Sequence, residues 1–536
     1  MKNIKNIKIN ILYGMAALLV CMAGIASCSE SVEDHYNVSD DVADRVSLWE
    51  IISEKPELSV FAAMLRKTSC DRMLSGEQSY TVWAPENEAL AGIDTSNMAM
   101  VTEVVNNHLA RFLFPASGLI GQSKDIYMTN AKKLMFERSG EVYSLAGIEL
   151  SQKNIAARNG ILHTVKERIP FTPNLWQFLD LPGYDSISAY MHFFDKREFI
   201  RNRSKLVDYN EEGLAVYDSV FQDINTLWDT YQGAKGIGSL NDEDSVYTMI
   251  VPDNTAWIEA YNNNYPYFRP SPLVDNVDSV QTTNAKYSLI QDLVFRQRIT
   301  RPERYDSLVT TRDLVVYDPV HLFVGSQPVN LSNGLAYPVS KLNYAINESC
   351  IKPIKIEAEY ALGRYHNEGR DRGKITNLYN WDNAVISSGG YLSLKGTATS
   401  DLPAISFELP NVLAAKYDIH CITLAPSVVV AGSTDSLVTR IYFQIQEWDR
   451  VTSKDDDKAW KTVASFGNSS ASFVTKPYGI SDIKGVEGYE FPYACFNEES
   501  NVFRLRLQLT PSRADLNTGK FSNRANIDYI LLTPSL

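Results

Sequence analysis

The sequence predicts two α+β domains of one architecture, the second divergent and carrying an insertion, followed by an all-β antiparallel sandwich or jelly roll. Three observations predict it. Three blocks found between residues 47 and 165 return in the same order between 174 and 339. After Tyr344 the pattern turns to short runs that alternate apolar and polar residues. The chain has 536 residues, 44% hydrophobic and 21% charged, which gives room for about three or four domains of roughly 100–200 residues. That composition excludes wholesale disorder and a polytopic membrane protein. A net charge of −13 argues against nucleic acid as a partner, because a phosphate backbone is held by a surplus of Lys and Arg. The 29 Tyr, 21 Phe and 8 Trp point to β-rich structure with sticky surfaces.

Residues 1–27 read as a lipoprotein signal peptide. Lys2, Lys5 and Lys8 form a positive start, and an apolar run from Ile11 to Ala26 follows. That run has the length of a signal core and falls short of the roughly 20 residues a spanning helix needs. It ends in Ile25-Ala26-Ser27-Cys28, which resembles a bacterial lipobox, so Cys28 is the expected lipidation site. The polar, acidic stretch 28–45 then reads as a flexible tether. Its opening, Ser29-Glu30-Ser31-Val32-Glu33-Asp34, partly resembles the export signal of surface lipoproteins of the Bacteroidetes, although Ser31 and Val32 interrupt the acids. The resulting expectation is an outer-membrane protein, lipid-anchored at the cell surface. Removing the leader takes three lysines and no acid, so the net charge moves from −13 to −16. The several acyl chains of a lipoprotein anchor firmly, so the rest of the chain needs no membrane-binding surface of its own.

The repeat organises the next three hundred residues. Ser47-Leu48-Trp49-Glu50-Ile51-Ile52 returns as Asn174-Leu175-Trp176-Gln177-Phe178-Leu179, each opening on a helix-capping residue. Tyr80-Thr81-Val82-Trp83-Ala84-Pro85-Glu86-Asn87 returns as Tyr247-Thr248-Met249-Ile250-Val251-Pro252-Asp253-Asn254. In both, a β-rich run reaches a proline and then begins a helix. Asn159-Gly160-Ile161-Leu162-His163-Thr164-Val165 returns as Asn333-Gly334-Leu335-Ala336-Tyr337-Pro338-Val339. There Asn-Gly is expected to supply the positive φ of a tight turn feeding a strand. Three matched blocks in one order mark a duplication.

These blocks resemble the fasciclin (FAS1) family, whose strand-to-helix motif runs roughly T-V-F-A-P-T-N-E-A-F. Thr81 to Leu90 match it with Trp83 for Phe and Glu86 for Thr, Asn159 to Val165 match the closing motif, and Val104 to Leu109 match the central helix with its histidine. The resemblance covers 46–170 well and 171–346 poorly, with Leu293 standing for His108 and Tyr337 for His163. It implies two fasciclin domains, architectural roles for both histidines, and an association with cell adhesion. Trp176 lies 76 residues before Pro252, whereas Trp49 lies 36 before Pro85, so the second copy carries an insertion of about 40 residues, placed at about 180–244. Tyr190 to Arg197, aromatic and basic, reads there either as a contact surface or as an amphipathic helix packed on its own domain.

The last domain is expected over 350–536. Ile354 to Tyr360, Ile441 to Gln446 and Phe503 to Leu509 alternate in strand fashion. The last of these places Arg504, Arg506 and Gln508 between apolar residues, so one face is expected buried and the other wet. Gly389-Gly390, Gly432-Ser433 and Gly467-Asn468 supply turns between such runs. Ile356 to Tyr360 and Ile527 to Leu532 resemble the first and last strands of carbohydrate-binding jelly rolls. Fasciclin repeats followed by such a domain on a lipoprotein are similar to surface proteins encoded beside glycan-uptake systems in gut Bacteroidetes. If the domain binds sugar, aromatic rings should stack on pyranose faces beside polar neighbours. Tyr379, Trp381, Trp448 and Trp460 are the candidates, each also able to pack within the sheets. Asp455-Asp456-Asp457 lacks the spaced oxygens of a calcium loop and reads as a solvated hairpin tip.

No phosphate loop, zinc helix, nucleophile elbow or Cys-x-x-Cys is present, so neither an enzyme nor a cofactor is expected. Cys70, Cys350, Cys421 and Cys495 leave one or two disulfides open. The leading reading is a non-catalytic, lipid-anchored surface protein that binds or adheres to glycan or to an extracellular or envelope protein. The alternatives are an accessory structural subunit of an outer-membrane glycan-uptake complex and, third, a glycan-active hydrolase.

Overall fold

The computed structural model describes residues 46–119, 123–209, 215–218, 220–228, 236–436, 438–448, 460–467, 473–495 and 502–535. Cys28, the tether, Asp449, Arg450 and Asp455 to Asp457 lie outside the described residues. The chain divides into two compact units, one ending at Asn174 and one running from Leu175. Among the described residues no helix is long and apolar enough to cross a membrane.

The first unit sets helices against one sheet. Ser47 caps the helix Leu48–Glu54 through a reciprocal box with Glu50, closing Ser47 N–H on Glu50 Oε2 at 2.6 Å and Glu50 N–H on Ser47 Oγ at 3.3 Å. The helices Ser59–Lys67 and Met98–Asn107 bury Phe61, Ala62, Met64 and Leu65, and Val101, Val104 and Val105, at the spacing of a single helix face. The strands are β1 (Tyr80–Pro85), β2 (Leu109–Arg111), β3 (Ser123–Tyr127), β4 (Lys133–Ser139), β5 (Val142–Leu145), β6 (Ile148–Ala157) and β7 (Gly160–Val165). They run in the order β2-β1-β7-β6-β5-β4-β3, and β1 and β7 are parallel neighbours. Separate apolar clusters gather on Leu48, Val82 and Leu162, and on Trp83, Phe136 and Leu145. Every residue of β1 is therefore buried, as a central strand covered on both faces must be.

The same geometry recurs in the second unit. After β8 (Asp195–Phe199), β9 (Lys205–Tyr209), β10 (Ala215–Asp218) and β11 (Phe221–Asn225) come β12 (Tyr247–Pro252), β13 (Val294–Phe295), β14 (Ser307–Val309), β15 (Val315–Tyr317), β16 (Val329–Leu331) and β17 (Gly334–Val339). β12 pairs with β17 in parallel from Tyr247–Gly334 to Pro252–Val339, the register in which β1 pairs with β7. The Asn159 amide donates to Leu74 O and Gly76 O (2.7 and 2.8 Å) and accepts from Leu48 N–H (2.8 Å). Asn333 repeats all three bonds, to Leu240 O, Asp242 O and Leu175 N–H, at 2.7, 3.0 and 2.9 Å. Gly160 has no left-handed φ, and Gly334 sits at φ 154°. The expected positive φ thus holds at Gly334 alone, and the reason for glycine common to both is close approach, since a Cβ would stand 2.2 Å from Tyr80 O in one and 1.9 Å from Tyr247 O in the other.

Within the region expected as an insertion, β8 pairs with β11 and β9 with β10. The stretch from Tyr190 to Arg197, read as a contact surface or an amphipathic helix, divides. Its first part ends the helix Asp185–His192, burying Ile187, Tyr190 and Met191, and its second part is in β8, where every residue is exposed.

From Ile354 the chain builds two antiparallel sheets. The strands are β18 (Ile354–Glu357), β19 (Arg364–Tyr365), β20 (Gly373–Tyr379), β21 (Gly390–Gly396), β22 (Ala404–Glu408), β23 (Lys416–Leu424), β24 (Arg440–Trp448), β25 (Trp460–Phe466), β26 (Phe473–Val474), β27 (Ile480–Glu490), β28 (Phe503–Leu509) and β29 (Arg524–Pro534). One sheet runs β20-β21-β29-β23-β27 with β18 beside β29, the other β19-β22-β28-β24-β25 with β26 beside β24. Leu392, Ile419 and Ile530 from the first and Phe407, Phe443 and Leu507 from the second share one core. Phe268 and Ala285 of the preceding part join that core, and Tyr267 O and Arg269 O accept from Ala414 N–H and Ala494 N–H at 2.9 and 2.8 Å. One expectation needs correction. Arg504 does not lie on a wet face but is 2% exposed, because aromatic side chains cover it. The disulfide question is open in the sequence, and Cys70, Cys350, Cys421 and Cys495 form no disulfide, Cys421 and Cys495 being buried and Cys70 and Cys350 half-buried.

The Asn159 amide closes two buried bonds and one part-buried bond at once, so Asn159→Ala should destabilise its unit by about 2–4 kcal/mol, leaving Leu48 N–H and Leu74 O unsatisfied. Hydrogen exchange in peptides spanning 48–54 and 80–85 should then accelerate at least tenfold. Unchanged protection would refute the assignment of this amide as the splint.

Candidate functional site

His108 and His163 of the first unit are buried and neutral. His108 Nδ1 donates to Val104 O (2.7 Å), and its Nε2 accepts from Ile169 N–H (3.1 Å). His163 Nε2 donates to Phe114 O (3.1 Å), while its ring lies 5.5 Å from that of Trp83 at an interplanar angle of 19°. Burial pushes both down to about 4, so neither takes a proton at neutral pH. In the second unit Tyr337 stands opposite Ile250 as His163 stands opposite Trp83. Its hydroxyl donates to Ile299 O at 2.7 Å. Phe114 and Ile299 occupy matching places, since their N–H groups donate to Thr81 Oγ1 and Thr248 Oγ1 in the same way. Tyr337 thus keeps the bond and drops the titration.

The four aromatic candidates fall into two pairs on different sheets. Trp448 and Trp460 face each other in register across β24 and β25. Trp460 lies 3.9 Å from the Arg504 guanidinium, Tyr365 lies 5.6 Å from it, and Arg504 Nε donates to Gln446 Oε1 at 2.8 Å. Both tryptophans are half-buried, and Trp460 with Tyr365 roofs a buried cation, a packing role in which the rings replace the water that Arg504 has lost.

Tyr379 and Trp381 are different. β20 ends at Tyr379, and the turn that follows lays the Trp381 ring parallel to the tyrosine, centroids 5.3 Å apart and planes 9° apart. Both stay open to solvent, Tyr379 52% and Trp381 73% exposed. The tryptophan is seated on Gly389, where a Cβ would come within 2.4 Å of its ring and where φ is +68°, so only glycine fits. Asn380 N–H fixes the turn by donating to Gly389 O at 2.8 Å.

Behind this loop lies a group of acids drawn from both ends of the two-sheet module. Ser387 N–H donates to Asp528 Oδ1 (3.1 Å), and Ser387 Oγ and Ser388 Oγ donate to Glu357 Oε1 (2.6 and 3.0 Å). Lys355 Nζ reaches the same Glu357 oxygen at 2.9 Å. Asp528 and Glu359 are 1% and 2% exposed, and both oxygens of Glu359 and Oε2 of Glu357 are buried without a hydrogen-bond partner. Burial, with Glu357 and Glu359 adding repulsion, pushes Asp528 up to about 7 despite the Ser387 bond, and burial raises Glu359 as well. Among the described residues no three His, Cys, Asp or Glu side chains form a group able to hold a metal ion. The sequence reading used Glu357, Glu359 and Asp528 as strand signatures and missed that they converge. Their adjacency follows from β18 pairing with β29, which 170 residues of separation hide.

The comparisons with known proteins bear on parts of the chain. Residues 56–169 match the fasciclin domain family. No curated protein matches the chain. Among solved structures it is similar to the FAS1 domain pair of the insect cell adhesion molecule Fasciclin I, at 13% identity over 55% of this chain and 98% of that one, with a TM-score of 0.20. It is similar to a family 35 carbohydrate binding module from Clostridium thermocellum at 13% identity, over 34% of this chain and 99% of that one, with a TM-score of 0.17. It is also similar to a Paenibacillus xanthan lyase at 16% identity and a TM-score of 0.22, over 37% of this chain but only 15% of the lyase.

Asp528 keeps its proton in the folded state up to about pH 7, whereas an unfolded aspartate releases it near 3.9. Its stabilising contribution is complete below about pH 4 and drains away as pH rises through about 7. The melting temperature of the second unit should therefore fall between pH 5 and pH 8, and Asp528→Asn should flatten that slope. An equally steep slope in the variant would refute the raised carboxyl.

Proposed function

We propose that the chain is a non-catalytic binding protein of the cell surface, anchored through lipid on Cys28 in the outer membrane. Fasciclin-like modules at 46–170 and 171–346 carry a carbohydrate-binding β-sandwich at 350–536, and Tyr379 with Trp381 grips glycan. The partner is glycan or a glycan-bearing extracellular or envelope protein. The observation that carries this reading is the stacked, solvent-open pair of rings. Large apolar side chains left exposed together mark interaction surfaces, and an exposed ring face held by its stacked neighbour offers the flat apolar surface against which the C–H side of a sugar packs. Asn380 and Asp382 flank the rings and supply polar groups for hydroxyls. The fasciclin match over 56–169 supports an adhesive role, and the recurrence of the parallel strand pair with its buried asparagine supports a second module of that kind.

The non-catalytic reading rests on what surrounds the acids. Asp528 and Glu359 are sealed beneath the Ser387–Gly390 loop, so a glycosidic bond held on the rings does not reach them, and acid–base cleavage needs such contact.

A glycan array on the chain lacking its leader tests the reading. Retention of a glycan should weaken at least tenfold in Trp381→Ala and in Tyr379→Ala, with melting unchanged, because both side chains are largely exposed. Trp460→Ala should lower the melting temperature and leave retention intact. If no glycan is retained and envelope proteins co-purify instead, the chain is an accessory subunit. If a retained glycan is turned over, it is a hydrolase.

A further inference from the structure

The ribbon of β8 and β11 is rooted at the end of the helix Asp185–His192. Asp195, the first residue of β8, pairs across the ribbon with Asn225, the last of β11. The buried Asn225 amide donates to Asp195 Oδ1 at 2.8 Å and to Met191 O at 2.9 Å, and its oxygen accepts from Leu227 N–H at 2.8 Å. His192 takes the other carboxylate oxygen, with Nδ1 2.5 Å from Asp195 Oδ2. Its Nε2 lies 3.0 Å from Oδ1 of Asp180, which sits in the turn ahead of the helix and also accepts from Ser188 Oγ at 2.7 Å. Beyond this root the ribbon is open. Every residue of β8 is exposed, and so are Phe221, Gln222 and Asp223 of β11.

Both nitrogens of one imidazole therefore face carboxylates. A neutral imidazole carries one N–H and one lone pair, so it serves one of the two acids and turns its lone pair on the other. Only the imidazolium donates to both. Its charge also suits the last residue of a helix, where the carbonyl ends gather partial negative charge. Among the described residues Asp180 and Asp195 are the charged groups that face the ring. Trp176 meets it edge-on at 4.7 Å, with Trp228 behind, and neither brings charge. Burial pulls His192 down, but the bonds to Asp195 and Asp180 outweigh it and hold the ring above its ordinary value.

We propose that His192 is a proton-operated latch: its imidazolium joins Asp180 to Asp195 and holds the ribbon on the helix, and loss of the proton frees the root. An unfolded imidazole titrates near 6.5. The latch is therefore fully closed below about pH 6.5 and opens as pH rises through the higher folded value. It acts on the ribbon whether or not the Tyr379–Trp381 rings hold glycan.

Hydrogen exchange of the chain lacking its leader, at about pH 6 and about pH 8.5 with times corrected for the intrinsic rate, tests the latch. Peptides spanning 195–199 and 221–225 should lose protection at least tenfold at the higher pH. Peptides spanning 247–252 should not change, which separates the ribbon from any loosening of the whole unit through Asp528. In His192→Gln, whose uncharged amide cannot join two carboxylates, ribbon protection should be equally low at both pH values. In protein labelled with carbon-13 at histidine, the resonance that His192→Gln removes should titrate above about 6.5, and Asp180→Asn should lower its midpoint. Asp180→Asn carries the test if His192→Gln lowers the melting temperature. The proposal is overturned if ribbon protection in the wild type is the same at both pH values, if the step persists in His192→Gln, or if Asp180→Asn leaves the midpoint where it was.

Discussion

A single buried amide sets the frame of each α/β module. Asn159 and Asn333 sit between the hairpin strand and the central strand, and each takes a helix-leading N–H and two loop carbonyls onto one side chain. Those backbone groups lie deep in the molecule, where an unmet donor or acceptor is expensive. The adjacent glycine lets the β1 or β12 carbonyl approach to a distance no Cβ tolerates. Parallel pairing, the placement of the first helix and the closure of the loop before the central strand all follow from this one corner.

Much of that frame was legible in the sequence, because its parts are local and come twice. Ser47 with Glu50, the Pro-Glu-Asn and Pro-Asp-Asn strand ends, and the Asn-Gly pairs are short strings whose physics is set by neighbours a few residues away. The role of the glycine was not legible, since a turn and a close approach use the same residue and only the position of Tyr80 O distinguishes them. Alternation in Phe503–Leu509 correctly marked a strand but misjudged Arg504, because covering one face with Trp460 and Tyr365 depends on strands 40 and 140 residues away. The candidate site was legible in the same half-way manner. An aromatic-Asn-aromatic string advertised Tyr379 and Trp381, while the acids behind them arise only from long-range pairing.

The change from His163 to Tyr337 shows how such a frame tolerates drift. A hydroxyl on a longer ring reaches the corresponding carbonyl, so hydrogen bonding is conserved while the residue type is not. The histidine carries a liability that the tyrosine lacks: below about pH 4 it must accept a proton in a buried place. The first module is thereby the more acid-sensitive of the two at this position.

The seam between the second α/β module and the paired sheets, where Ala414 meets Tyr267 and Ala494 meets Arg269, has a mechanical consequence. Backbone bonds on both sides of a common apolar interior leave no swivel there. A tug delivered to the outermost rings travels through Leu175–Leu536 as through one stiff bracket, loading several bonds together instead of opening them one after another.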